Sequence, residues 1–154
     1  MKKLAEFNYK LLSGILPCGQ MLSKWKKEIP AECNVCKENE NHKHMLYDCV
    51  KVKQIWNVLG NCLNVDIRWK HIVIGYFTDL NVTTNNINML CSQIAYSIFK
   101  ANNNCKWNQL DYNNVDVKRK VINDLQQFSK MQLYCQETYI SQNCISNIVQ
   151  KLEC

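Results

Sequence analysis

Proline and glycine are nearly missing, at 2 and 4 in 154 residues. Sheets joined by tight turns lean on both, glycine for positive φ and proline for a preset φ. Their scarcity excludes a turn-rich all-β fold and favours helices. Long hydrophobic runs are missing too, and no stretch approaches the roughly 20 apolar residues that cross a bilayer as a helix. MKKLAEFNYKLLSGIL opens with Lys2 and Lys3 like a signal peptide, but Glu6, Asn8 and Lys10 interrupt its apolar run. The chain is therefore expected to be intracellular, nuclear or cytoplasmic, with no membrane partner. In that reducing setting disulfides are uncommon.

Catalytic signatures are equally scarce. No Ala-Asp-Asp or Tyr-x-Asp-Asp polymerase motif occurs. Asp111 and Asp116 lie near each other, but no third carboxylate or histidine beside them completes a metal-dependent nuclease site. The expectation is a protein without enzymatic activity of its own.

What the chain does have is cysteine, 10 in all, and a net charge of +6. The charge is uneven. Residues 1–71 carry twelve Lys/Arg against seven Asp/Glu, and residues 72–154 carry seven against six. A basic first half suits a polyanionic partner, and it equally suits plain solubility.

Apolar spacing predicts mostly α structure. Leu4, Phe7, Leu11 and Ile15 recur at helical intervals, with Gly14 and Pro17 as stops. A short helix is expected from Gln20 to about Lys27. Val52, Ile55, Trp56, Leu59 and Leu63 stripe another, with Lys51 and Lys53 flanking the stripe. HIVIGYF (71–77) reads equally as a buried strand or a helical turn. Residues 78–86 read as a loop, with Thr84 or Asn85 as N-cap. Ile87, Leu90, Cys91, Ile94, Ala95 and Ile98 mark the next helix, and the asparagine-dense stretch 101–114 reads as a second loop. From Val115 to Leu152 two helices are expected, or one with a break near Gln142. The division expected is a helical domain over 1–66, carrying the cysteine- and histidine-rich stretch 33–49, and a helical C-terminal tail over 67–154 packing on it, or one single domain.

Three cysteines and two histidines crowd into CNVCKENENHKHMLYDC, with the spacing Cys33-x2-Cys36-x7-His44-x4-Cys49. Two cysteines two apart offer thiolates from one tight turn, leaving backbone amides to hydrogen-bond them. A histidine and a cysteine about one helical turn apart supply two more donors from the start of a helix. Three thiolates and one imidazole make a closed tetrahedral set that suits one structural zinc ion. A redox Cys-x2-Cys normally sits in a βαβ context, absent here. A Cys/His catalytic pair leaves Cys36 and Cys49 unexplained. His42 is the rival of His44; it sits farther from Cys49 and is expected in solvent. Cys62 and Cys91 fall on apolar stripes and are expected in the core, while Cys154 is expected free. His71, alone before an apolar run, is expected to pack or face solvent.

These residues and their flanks resemble a known family. FNYKLLSGILPCGQMLSKWK followed by CNVCKENENHKHMLYDCVKVKQIW is similar to the zinc-binding domain that follows the reverse transcriptase in LINE-type (non-LTR) retrotransposons. The matching pieces are Gly14-Ile15-Leu16-Pro17, Leu22, Trp25, Cys33, Cys36, Glu40, His44, Cys49 and Trp56. The resemblance covers roughly residues 7 to 60. Asn41 stands where the family often has threonine, and it keeps a small polar cap. The resemblance implies a domain that helps a retroelement protein hold RNA and target DNA, next to a polymerase portion not contained in this sequence. The chain is then a piece of a larger polyprotein, a truncated copy or a retained remnant.

If nucleic acid is held, lysines near the knuckle should meet phosphates. The candidates are Lys24, Lys26, Lys27, Lys37, Lys43, Lys51 and Lys53. Trp25 is a candidate to stack on an unpaired base, against the alternative that it packs in the core. Trp56 is expected in the core. A protein-interaction module held by zinc, with an apolar tail docked on the polymerase, is the alternative.

Overall fold

The computed structural model describes residues 2–77, 81–108, 110, 114–135 and 140–154. The order is α1 (Lys2–Leu12), α2 (Gly19–Trp25), a wide π-type turn (His44–Asp48), α3 (Val50–Leu63), α4 (Trp69–Val73), α5 (Asn81–Asn108), α6 (Asn114–Cys135) and α7 (Gln142–Glu153). No strand occurs among the described residues; one isolated antiparallel bridge joins Glu32 and Asn39.

α1 stops where its residues dictate. Gly14 takes φ +68. Ile15 N–H then reaches back to Lys10 O at 3.0 Å, and Gly14 N–H to Leu11 O at 3.2 Å. This pair of bonds satisfies the last carbonyls of the helix, and glycine adopts the left-handed position without steric cost. α3 closes the same way with Asn64 at φ 52 and Val65 N–H on Gly60 O. Phe7 and Leu11 of α1 are buried, and Phe7 packs tilted against Tyr96 and Phe99 of α5, with ring centroids at 5.3 and 5.4 Å. Burying one such ring contributes about 2 kcal/mol.

α3 runs through the centre. Val52, Ile55, Trp56 and Leu59 are all buried, and its neighbours are α6, α7 and the π-type turn. The Trp56 indole N–H donates to Leu46 O at 2.7 Å, so a buried polar group is satisfied and α3 is tied to the turn before it. One apolar cluster draws on Leu16, Cys33 and Met45 as well as Leu90, Ile98, Val121, Leu125, Ile148 and Leu152. The stripe Ile145, Ile148, Val149 and Leu152 of α7 is buried within it.

One open alternative is decided, in favour of a helical turn at 71–77, and two local expectations are corrected. Residues 71–77 contain no strand: the single turn of α4 ends at Val73, and Tyr76 is held by Asn88, which accepts from its N–H and donates to its carbonyl. α5 begins at Asn81, so Thr84 and Asn85 lie inside the helix rather than at its cap; of the expected loop, 78–80 fall outside the described residues. Most importantly, α5 continues to Asn108, through a segment read as loop. Ala101, Asn102 and Cys105 are buried there, so tertiary burial overrides the weak helix preference of asparagine. The break near Gln142 falls where expected, at the start of α7.

Candidate metal centre

The knuckle loop is built from local turns. Cys33 N–H donates to Glu38 O at 2.7 Å and Lys37 N–H to Cys33 O at 3.0 Å, with Lys37 at φ 62. This fold-back brings Cys33 and Cys36 to one side, and the amides of Val35 and Cys36 hydrogen-bond the Cys33 sulfur. Asn41 then caps the next segment, its Oδ1 accepting from His44 N–H at 2.8 Å. His44 and Cys49 are five residues apart. At 3.6 residues per turn an α-helix would carry them about 140° past alignment. The π-type turn, with Cys49 N–H on His44 O at 3.1 Å, takes up that extra residue. Cys49 immediately precedes α3, where the unpaired amides and helix dipole favour a thiolate.

The four donor atoms converge. Cys33 Sγ lies 3.6 Å from Cys49 Sγ, Cys36 Sγ 3.9 Å from Cys49 Sγ, and Cys36 Sγ 3.1 Å from His44 Nε2. All four lie within 4.8 Å of one another. A tetrahedron with metal–sulfur bonds of about 2.3 Å has sulfur–sulfur edges of about 3.8 Å, so the spacing fits a zinc ion. A disulfide would need the sulfurs at about 2.0 Å, and the described cysteines are free thiols. The buried Cys33–Cys49 pair shares its proton unequally. Their mutual hydrogen bond pulls Cys33 down, and the same bond together with burial pushes Cys49 up. The other imidazole nitrogen of His44, Nδ1, faces Glu38 Oε2 at 3.2 Å, a carboxylate that orients the ring.

His42 lies outside this cluster, but the expectation that it is solvated is corrected. Its Nε2 is 2.6 Å from Leu16 O and ties the knuckle to the Gly14–Pro17 turn.

Beneath the cluster lies a buried polar centre that the spacing did not announce. Glu40 is 0% exposed. Its Oε1 accepts from Gly19 N–H and Asn102 Nδ2, both at 3.0 Å, and lies 3.4 Å from Lys106 Nζ. Its Oε2 faces Lys51 Nζ at 3.8 Å, and Lys51 donates to Asn102 Oδ1 at 2.7 Å. Lys106 also donates to Pro30 O and Glu32 O. Gly19 is required by closeness: a Cβ there would stand 2.8 Å from Ala31 O and 3.0 Å from Glu40 Oε1. Two ammonium groups around one carboxylate, with two hydrogen bonds to its Oε1, offset the burial of these charges, while Oε2 has the Lys51 ammonium nearby but no hydrogen bond.

Lys51 is thereby corrected: it is 1% exposed and faces Glu40, so it meets no phosphate. The signal was available, because Lys51 precedes Ile55 by four residues and so sits on the buried stripe. Asn102 and Lys106 likewise continue the α5 stripe from Ile94 and Ile98. Lys24, Lys26, Lys27, Lys37, Lys43 and Lys53 are exposed. Lys43 pairs with Asp48 at 3.2 Å, and Lys37 donates to Asn34 O. Trp25 is not in the core; it is 64% exposed.

Residues 1–56 match the family described as zinc-binding in reverse transcriptase. This segment is a reverse transcriptase zinc-binding domain. The match ends on Trp56, the core tryptophan of α3, and contains all four converging donors together with Glu40 and Lys51. Asn102 and Lys106, which complete the buried centre of the zinc-binding domain, lie beyond it. No curated protein and no solved structure matches the chain. No helix among the described residues is long and apolar enough to cross a membrane.

Proposed function

We propose that Cys33, Cys36, His44 and Cys49 hold one zinc ion in a structural role, and that the domain serves a LINE-type retrotransposon protein by helping it hold RNA or DNA. The carrying observation is the tetrahedral spacing of four donors inside a segment of the zinc-binding family. All four positions are taken by protein donors, so the ion has no open site for water or substrate; its contribution is to fix the fold. The chain's own residues prepare the site. The amides of Val35 and Cys36 stabilise thiolate at Cys33, and Asn41 starts the turn that carries His44. This domain type is accessory rather than catalytic, and phosphates would be met by Lys24, Lys26, Lys27, Lys37, Lys43 and Lys53 around it.

The alternative, an apolar tail docked on a polymerase, has less to work with. The stripes of α6 and α7 that would form such a surface are buried in this chain's own core.

Two measurements test the reading. Protein purified without chelator should contain one zinc per chain, and Cys33 should resist alkylation until the metal is removed. Affinity for RNA should fall steeply with salt and fall further in Lys26→Glu/Lys27→Glu. Metal-free protein with a freely alkylated Cys33 refutes the zinc centre. Affinity indifferent to both salt and charge refutes the phosphate contacts.

A further inference from the structure

Two indoles are exposed, one at the end of α2 and one near the end of α5. Trp25 closes α2 at 64% exposed, and Trp107 lies one residue before the end of α5 at 48% exposed. Large indoles are highly buried on average, as Trp56 is. Lys26, the residue after Trp25, places its Nζ over the Trp107 ring, 4.7 Å from the centroid. Trp107 is not on a loose end. The preceding residue, Lys106, is anchored to Pro30 O, Glu32 O and Glu40, so the last turn of α5 is fastened to the knuckle loop. Lys24, Lys26 and Lys27 are exposed, and Glu28 is the one acid in the run 24–28.

A fixed aromatic face beside several cations matches the two needs of an unpaired nucleotide, a surface for the base and charge for its phosphates. In a duplex the base faces are stacked and closed to an indole. A purely apolar protein partner would leave the Lys26 ammonium on the ring, and the exposed Lys24 and Lys27 close to it in the chain, without compensation, so charge complementarity selects the polyanion.

We propose that Trp107, with Lys26 across its face, is a stacking platform for an unpaired base of single-stranded nucleic acid, with the exposed Lys24 and Lys27, near Lys26 in the chain, meeting the adjacent phosphates. The proposal rests on the nucleic-acid reading above and narrows it to single strands. It also assigns a contact to α5, outside the family-matched residues. Lys26 covers the ring in the free protein and moves to a phosphate as the base takes its place.

The zinc-loaded full chain is titrated with a short oligothymidine strand and with a duplex of equal length, at low and moderate salt. The single strand should bind more tightly. Trp107→Ala should weaken single-strand binding roughly tenfold and leave duplex binding within about twofold, the scale of one lost base–indole stack. Trp107→Phe should recover most of the loss, and the melting temperature should stay near that of the parent because the ring is half-exposed. If both ligands bind with salt-dependent affinity and Trp107→Ala changes neither, or both alike, the platform is refuted and the phosphate contacts stand. If neither ligand binds at low salt, the nucleic-acid reading has failed and the platform falls with it.

Discussion

His42 and His44 are two residues apart and are held by different chemistry. His44 contributes a ring nitrogen to the donor cluster, while His42 makes one bond to Leu16 O. Losing a single neutral hydrogen bond costs about 1 kcal/mol. For a chain of this size that lowers the melting temperature by about 3 °C. Losing a ligand removes binding free energy that is also folding free energy. We expect His42→Ala to melt about 3 °C lower with its zinc retained, and His44→Ala to melt at least three times as far below the parent and lose its zinc. Equal shifts in calorimetry would show the ligand assignment to be wrong. Cys91 and Cys105 need no such role. Burial pushes the thiols of Cys91 and Cys105 up to about 12 and about 11, so both stay protonated and act as small apolar fillers.

Among the elements, the α5–α6 pair shows how a helix interface responds to pH. Burial alone would push the Asp124 carboxyl up; hydrogen bonds from Lys100, Lys120 and Ser97 outweigh it and hold it below the ordinary aspartate value. Lys100 lies 2.7 Å and Lys120 2.9 Å from its two oxygens. A depressed folded-state pKa means the unfolded chain takes up the proton first. The stabilisation is therefore complete above the unfolded pKa of about 3.9 and is lost as pH falls through the lower folded value. Urea midpoints measured from pH 6 down to pH 3 should fall more steeply for the parent than for Asp124→Asn; parallel curves would contradict the assignment. The same helix pair shows why part of the fold was illegible. The asparagines of 101–108 carry turn-like preferences, so local reading ended α5 too early. The buried side of that segment, Ala101, Asn102 and Cys105, extends the apolar periodicity begun at Ile87, which helical spacing alone already implied.

Over the whole molecule, the buried Glu40 centre couples the knuckle to the long helix α5. Gly19 and Glu40 come from the zinc-binding domain, Lys51 from α3, and Asn102 and Lys106 from a helix some sixty residues further on. Removing the metal should loosen the turns at 31–49 and, through Lys106, the end of α5. With EDTA added, hydrogen exchange should rise over residues 31–49 and 102–108 while α6 and α7 keep their protection. An unchanged 31–49 segment, or protection lost evenly across α6 and α7, would refute this coupling.

Sequence alone determined what depends on near neighbours. The four donors, the Asn41 cap, the Gly14 stop and the stripe of α3 are set by spacing, left-handed backbone and helical period, none of which needs a distant partner. Tertiary structure decided what depends on the opposite wall. Lys51 turns inward because Glu40 and Asn102 stand across from it, and Lys106 anchors a loop because Pro30 and Glu32 offer carbonyls there. Trp25 stays outside because no described element covers its ring. Whether a lysine or an indole near the knuckle faces solvent is fixed by residues far along the chain, and local periodicity carries no record of them.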